Sequence, residues 1–361
     1  MSNIQHPTSK PLTSLRLQQF RSYADFAVEL SPAVNIVVGP NASGKTNLLE
    51  SLLILSGVSS YRASYGDVVG REYDWARIDG VTQNGTRVVK LTKKGELTDR
   101  LYELNATPKK RLNFNDCLPV VLFEPEHMRL LTGSPDLRRE FFDDILSETM
   151  PEYQTLKNHY KRALAQRNRL LKSDPGVVHA QIFAWNVRLS ELAGKIVSAR
   201  LKLITELNKH LSGIYSELAN EQTNAFLQYQ TDIPTETYES ALLHKLEKSI
   251  DKDILRGFTA YGPHREDILV FIREQPADIT ASRGETRTLV LSLKLLELKI
   301  LEEARQQKPL ILLDDVFSEL DGSRRKALTR YLQDYQTIIT TTDADVIIKE
   351  FAQASNLISL S

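Results

Sequence analysis

The sequence predicts an α/β protein organised around a glycine-containing loop between a strand and a helix, with a helical region inserted in the chain. Three observations carry this expectation. The apolar run VNIVV (34–38) leads directly into GPNASGKTN (39–47), and TNLLESLLILSG (46–57) follows at helical spacing until Gly57 stops it. From Ala76 to Asn105 apolar residues alternate with period two, as half-buried strands do. From about 136 to 222 Leu, Ala, Glu, Lys and Arg recur at helical spacing, as in packed amphipathic helices.

Along the chain, LRLQQF (15–20) alternates as a strand, and VNIVV reads as a buried one. The segments ARIDGVTQ, TRVVKLTKK and LTDRLYELN form an antiparallel meander joined at Asn84-Gly85 and Gly95-Glu96. Asn-Gly is a strong hairpin signal because both residues tolerate positive φ. PVVLF (119–123) reads as a buried strand returning to the main sheet. The helical block contains one Pro-Gly break, at 175–176, and is expected to fold as two or three long helices in a separate lobe. After a mixed stretch come the strand DILVFIRE (267–274), the long helix RTLVLSLKLLELKILEEAR (287–305) and the strand PLILL (309–313). QTIIT (336–340) and LISLS (357–361) close the sheet. The expected domains are a head from residues 1–135, a mainly helical lobe from 136–255, and a return to the head over 256–361.

Lys plus Arg equals Asp plus Glu at 46 each, so long-range attraction to nucleic acid is not a property of the whole molecule and must come from local patches. The single cysteine, Cys117, excludes an internal disulfide and a cysteine-based zinc site. No apolar run approaches the roughly 20 residues a membrane span requires, and the N-terminus lacks a signal-peptide core. The expectation is a soluble, cytoplasmic protein without membrane contact.

Residues Gly39, Pro40, Asn41, Ala42, Ser43, Gly44, Lys45 and Thr46 complete the pattern G-x-x-x-x-G-K-[ST]. Glycines let successive N–H groups turn inward towards phosphates, and the following helix presents its positive end to the same charge. Lys45, read as an exposed point charge, should reach the β- and γ-phosphates of ATP, and the Thr46 hydroxyl should bind Mg²⁺. In LILLDDVFSELD (310–321) an aliphatic strand delivers two carboxylates to the sheet edge, the Walker B pattern. Asp314 is the expected Mg²⁺ ligand, and Asp315 the group that orients or activates the attacking water. ASRGETRTLVLSLKLLE (281–297) places Ser282 and Gly284 before a long helix. Alone, that stretch fits an ordinary capped helix equally well. Shortly before the Walker B strand, it resembles the signature motif of ABC-type ATPases, a resemblance that implies Ser282, Gly284 and Glu285 meet a nucleotide held by a second subunit. SELD (318–321) resembles their D-loop and adds Asp321.

Four blocks occur together and in order: LQQFRSYADFAVELSPAVNIVVGPNASGKTNLLESLLILSG, VVLFEPEHMRLLTGSPDLRREFFDD, YGPHRED and SRGETRTLVLSLKLLEL. With them the chain resembles the RecF family of SMC-like ABC-type ATPases over nearly its whole length. The resemblance implies an ABC-type ATPase head, with a mixed sheet, flanking helices and an antiparallel β subdomain, plus an inserted helical lobe. It also implies a weak, DNA-stimulated ATPase that dimerises on ATP, binds duplex or gapped DNA, and helps load recombinase on single-stranded gaps in repair and replication. RecR and RecO are the partners it implies. The chain departs from the ABC pattern in places. Glu285 stands for the usual Gln, Arg283 for a small glycine, and Asp315 for the usual Glu. TTTDAD (340–345) offers Asp343 and no switch histidine. These departures suit slow hydrolysis. No glutamine marks the Q-loop position, where Glu124 and Glu126 are candidates.

For DNA the candidates are Lys157, Lys161, Arg169 and Lys172 on one face of an expected helix, with Arg62 and the run Lys109, Lys110 and Arg111. No aromatic series interleaves them, so backbone contacts to duplex DNA fit better than a stacking platform for single strands. His264 and Arg265 read as structural or dimer-face residues. The alternative reading is an ABC-type ATPase subunit of transport or anti-phage defence, but a transport subunit would carry the Q-loop and switch His that are missing. A small-molecule kinase would need no Ser-x-Gly signature.

Overall fold

The computed structural model describes residues 10–57, 64–343 and 355–360. The chain divides into two compact units, Met1–His127 with Glu297–Ser361, and Met128–Leu296.

In the first unit five strands run in the order Ser355–Ser359, Val34–Val38, Thr337–Thr341, Leu310–Asp314, Val120–Phe123. Every described pairing among them is parallel. Their near-continuous apolar runs are what a sheet covered on both faces demands. In a parallel sheet all carboxyl ends fall on one edge, so the segments after Val38, Thr341, Asp314 and Phe123 gather there. The antiparallel strands form a sheet of their own, in the order Tyr23–Glu29, Leu12–Phe20, Trp75–Thr82, Gly85–Lys94, Leu97–Leu104, Thr107–Lys109. Tyr23–Glu29 escapes sequence reading because its edge position leaves only a weakly buried face built from Phe26 and Val28.

The helix Lys45–Ser56 packs against both sheets. Leu48, Leu49, Leu52, Leu53, Ile54 and Leu55 share one core with Leu17, Ile78 and Val89 of the antiparallel sheet and with Val37, Leu312 and Ile338 of the parallel one. A helix buried on nearly every side is apolar all round. Its N-terminus is therefore held rigidly at the sheet edge where the phosphate loop ends.

The second unit holds the helices Pro135–Thr149, Tyr153–Leu170, Pro175–Asn208 and Leu211–Ala219. There are more of them than expected, because the chain also turns at Met150–Glu152 and at Lys209–His210. The Pro-Gly break is a helix start. Pro175 occupies the first turn, and the Asp174 carboxylate caps it by accepting the Gly176 N–H at 2.9 Å. The mixed stretch contributes the strand Ala225–Gln230 and the helices Tyr238–Lys248 and Ile250–Arg256.

Residues 256–296, assigned to the head from sequence, cluster with this second unit. Asp267–Ile272 pairs antiparallel with Ala225–Gln230, and the Asp267 carboxylate takes a two-pronged ion pair from Arg138 at 2.6 and 2.8 Å. Both attachments are long-range, which is why the sequence boundary at 255 misses them. Among the described residues no helix is long and apolar enough to cross a membrane.

Candidate nucleotide site and signature helix

Gly39 and Gly44 are glycine for steric reasons. A Cβ on Gly39 would meet Ser43 Oγ at 2.5 Å and the Leu360 carbonyl oxygen at 2.7 Å. Gly44 sits at φ +98°, and a Cβ there would lie 3.0 Å from the Tyr23 hydroxyl, which donates to the Gly44 carbonyl at 3.1 Å. Between them Pro40, Asn41 and Ala42 are exposed, with Ala42 at φ 67°, and the Ser43 N–H donates to the Pro40 carbonyl at 3.3 Å. Lys45 is not the exposed point charge expected. It is only 9% exposed, and its Nζ donates to the carbonyls of Gly39 and Pro40, each at 2.7 Å. The ammonium is thus folded into the centre of the loop it follows.

Thr46 and Asp314 come together from opposite ends of the chain. Thr46 Oγ1 donates to the Asp314 carboxylate at 2.9 Å, and Thr340 Oγ1 donates to its other oxygen at 2.7 Å. Thr340 is a residue that sequence reading missed. The only signal was a run of threonines ending an otherwise apolar strand. Its hydroxyl also accepts the Asp315 N–H at 3.1 Å, so one side chain orients both Walker B residues. Asp315 adopts φ 54°, and its Oδ1 is buried with no hydrogen-bond partner among the described residues, as is Ser43 Oγ. Buried polar atoms without partners call for an explanation, and a polar ligand in the cradle would supply it.

Among the described residues no three His, Cys, Asp or Glu side chains group as a metal cage. One carboxylate beside one hydroxyl nevertheless fits Mg²⁺, which keeps water and phosphate oxygens as its remaining ligands. Glu124 directly follows Phe123, which pairs with Leu313 in the parallel register. It is buried, and its N–H donates to His127 Nδ1 at 3.1 Å; Glu126 is exposed. Asp343 follows Thr341, whose hydroxyl accepts the Asp343 N–H at 3.0 Å. Asp321 caps the helix Gly322–Leu332. It accepts the Arg324 N–H at 3.0 Å and the Ser323 hydroxyl at 2.7 Å, bonds that hold its carboxyl below the usual range.

In the second unit, Ser282 begins the helix Arg283–Arg305 with a reciprocal cap. Its N–H donates to Glu285 Oε2 at 2.8 Å, and its Oγ accepts the Glu285 N–H at 3.3 Å. That backbone bond, chiefly, and the Arg273 guanidinium beside it lower the Glu285 pKa. Gly284 lies in the first turn, where its carbonyl accepts the Thr288 hydroxyl at 2.9 Å.

A sequence profile of the RecF/RecN/SMC N terminal domain matches residues 11–359. The DNA replication and repair protein RecF of Exiguobacterium sp. is 34% identical over 361 residues, 96% of this chain and 96% of its own length. The protein of the same name from Streptococcus thermophilus is 32% identical over 343 residues, 92% of this chain and 93% of its own. The chain belongs to the RecF family. The solved structure of the recombination mediator protein RecF-ATPrS in the RecFOR pathway matches at a TM-score of 0.87 and 25% identity, covering 99% of this chain and 98% of that one. An Smc head bound to the C-winged helix domain of ScpA matches at 0.55 with 16% identity, covering 97% and 94%. The fold is accordingly the ATPase head shared by RecF and SMC proteins.

The remaining RecF-like features separate into exposed and engaged residues. Lys110, Arg111, Lys161, Arg169 and Lys172 are exposed. Lys109 is ion-paired with Asp116 at 2.7 Å and Lys157 with Asp144 at 3.4 Å, so these two are committed to local acids. Arg62 lies outside the described residues. His264 belongs to a buried knot. Its Nε2 faces the Thr259 carbonyl at 3.2 Å, which can only accept, so Nδ1 accepts from the Tyr160 hydroxyl at 2.7 Å. Burial pushes the imidazole down to about 4. The same YGPHRED turn is pinned by Arg200 to the Pro263 carbonyl at 2.8 Å and by Arg139 to the Glu266 carbonyl at 2.6 Å. The Glu266 carboxylate accepts the hydroxyls of Tyr229, Thr231 and Tyr238. The block that looked family-specific in sequence is here a structural knot; of its residues, Arg265 is exposed, stacked 4.8 Å over Phe258.

Proposed function

We propose that the chain is an ATP-dependent DNA-binding protein of recombinational repair and replication, in which bound ATP joins two copies into a clamp. The observation that carries this reading is the 2.9 Å contact between Thr46 of the phosphate loop and Asp314 of the Walker B strand. It brings together the hydroxyl and carboxylate that would hold Mg²⁺. That ion would neutralise the β- and γ-phosphate oxygens as charge develops. Lys45 would exchange its two loop carbonyls for phosphate oxygens, and the loop N–H groups from Gly39 to Gly44 would complete the cradle. Asp315, with a buried carboxylate oxygen lacking a partner among the described residues, would orient the attacking water and take its proton. A carboxylate shorter than Glu and the lack of a switch histidine suit a weak ATPase used as a timer, stimulated by DNA.

In this reading Met1–His127 with Glu297–Ser361 forms the ATPase head, and the helical unit carries the signature. Ser282 would meet the γ-phosphate held by the partner chain. Its hydroxyl already accepts one bond and keeps a proton to donate. ADP lacks the group that this donor seeks, so only ATP should join the two copies. Exposed cations such as Lys110, Arg111, Lys161, Arg169 and Lys172 would contact the phosphates of duplex DNA or of single/double-strand junctions. RecR and RecO are the proposed partners, recombinase loading at single-stranded gaps the outcome, and the cytoplasm the site of action. Light scattering with ATP, with ADP and without nucleotide, each with and without duplex DNA, tests the clamp. Dimers and stable DNA binding should appear with ATP alone. A monomer that binds ATP and remains monomeric would overturn the reading.

A further inference from the structure

Arg273 stands in an unusual place. Asp267–Ile272 turns back on Gln275–Pro276 through just two residues, Arg273 and Glu274, with φ of 49° and 63°. Two-residue turns with both φ values positive are ordinarily filled by Asn-Gly or similar pairs, because a side chain is strained there. A long cation at such a position needs a compensating contact. That contact is with the signature. Arg273 Nη2 lies 2.7 Å from Glu285 Oε1, while a weaker approach to Glu221 spans 3.4 Å.

Glu285 creates a difficulty that Arg273 removes. The carboxylate sits in the first turn of the signature helix, within one turn of Ser282. It is held there by the Ser282 N–H at 2.8 Å, and its pKa is lowered, so it carries full charge at neutral pH. An uncompensated anion at that point would repel the triphosphate that Ser282 is proposed to meet. Between charges a few ångströms apart such a repulsion is appreciable even at the high effective dielectric of a surface site.

We propose that Arg273 is a positioning residue of the signature motif: it cancels the charge of Glu285 and holds its carboxylate in the helix cap, so that a partner's nucleotide can approach Ser282. The proposal rests on the reading that ATP joins two copies through Ser282. It makes the hairpin Asp267–Pro276 a working part of the nucleotide interface.

The test is a double-mutant cycle on ATP-dependent dimerisation of the full chain, read by light scattering. Arg273→Ala should weaken the dimer about tenfold per interface by this repulsion, hence roughly a hundredfold across the two equivalent sites of a symmetric dimer. In the Glu285→Gln background the same substitution should cost no more than about threefold, because the charge to be cancelled is gone. Arg273→Lys should recover most of the loss. Arg273 is exposed and Glu285 only half-buried, so Arg273→Ala should melt within about 2 °C of wild type. Two results would overturn the proposal: unchanged dimerisation in Arg273→Ala, or an equal loss in both backgrounds, which would mean that Arg273 does not act through Glu285. If the wild-type chain itself stays monomeric with ATP, the clamp reading fails first and this inference falls with it.

Discussion

Replacing Lys45 by Ala separates the two duties of this side chain. The ammonium donates to two loop carbonyls at 2.7 Å and is nine-tenths buried. Its loss should therefore destabilise the first unit by about 1–2 kcal/mol, the usual net worth of hydrogen bonds from a charged donor. For a unit of this size class that lowers the melting temperature by roughly 2–8 °C without nucleotide. The larger effect should appear with ATP. At a ligand concentration of about 100 Kd, wild type gains ~2.7 kcal/mol, or roughly 5–10 °C. If Lys45 contributes the ~2.7 kcal/mol that corresponds to a hundredfold in affinity, the variant sits near its own Kd at that concentration. It should then gain only ~0.4 kcal/mol, about 1 °C. The assay is thermal melting at matched protein concentration over a titration of ATP with Mg²⁺. Equal nucleotide-dependent shifts in wild type and variant would refute the assignment of this loop.

Asp315→Asn keeps the volume and removes the base, so ATP binding should persist while turnover falls by about a hundredfold or more; a stable ATP-bound dimer should accumulate in gel filtration. Ser282→Arg leaves the phosphate loop intact but fills the space a partner's phosphate needs, so it should bind ATP as a monomer and lose stable duplex binding. Wild-type DNA affinity should fall with salt at a slope of about −0.9 per neutralised phosphate, measured by fluorescence anisotropy at two salt concentrations. His264 should make the second unit acid-sensitive. Its folded pKa of about 4 lies below the ordinary 6.5, so the unfolded chain binds the extra proton between those values, and stability present above pH 6.5 is lost as pH falls towards 4. About 2 kcal/mol should be gone at pH 5. The slope of melting temperature against pH between 5 and 7 should flatten in His264→Asn, and an unchanged slope would show that other groups carry it.

The parallel sheet was legible because its strands are buried on both faces and read as short apolar runs between turn signals. VNIVV, PLILL and QTIIT each appear within a residue or so of their expected bounds. What sequence reading missed had partial burial or long-range partners. The edge strand Tyr23–Glu29 shows little alternation, and Ala225–Gln230 becomes a strand only through its pairing with Asp267–Ile272. Thr340 and Tyr23 bear on the candidate nucleotide site through hydrogen bonds to Asp314 and Gly44. No spacing rule links positions that far apart. Charge counting misled for a related reason. Lys109 and Lys157 look alike in composition to Lys110 and Lys161, yet the first two are paired with Asp116 and Asp144.

Sequence alone left Ser282 balanced between an ordinary helix cap and a phosphate-meeting signature. The structure makes the cap real, yet the two roles do not compete. Capping uses an oxygen lone pair of the hydroxyl to accept the Glu285 N–H, whereas meeting a phosphate uses its proton. The cap also fixes the side chain over the helix N-terminus, where the backbone dipole favours an anion. Preorganisation of this kind removes rotamer entropy that docking would otherwise have to overcome. Glu285 gives the helix its reciprocal cap, and its charge is hostile to phosphate. The hairpin that carries Arg273 accepts two left-handed residues and places a guanidinium against that charge. A glutamine at position 285 would need no such partner. The departure from the usual signature and the strained turn at Arg273–Glu274 are then one adaptation, and changing either residue alone should expose the other.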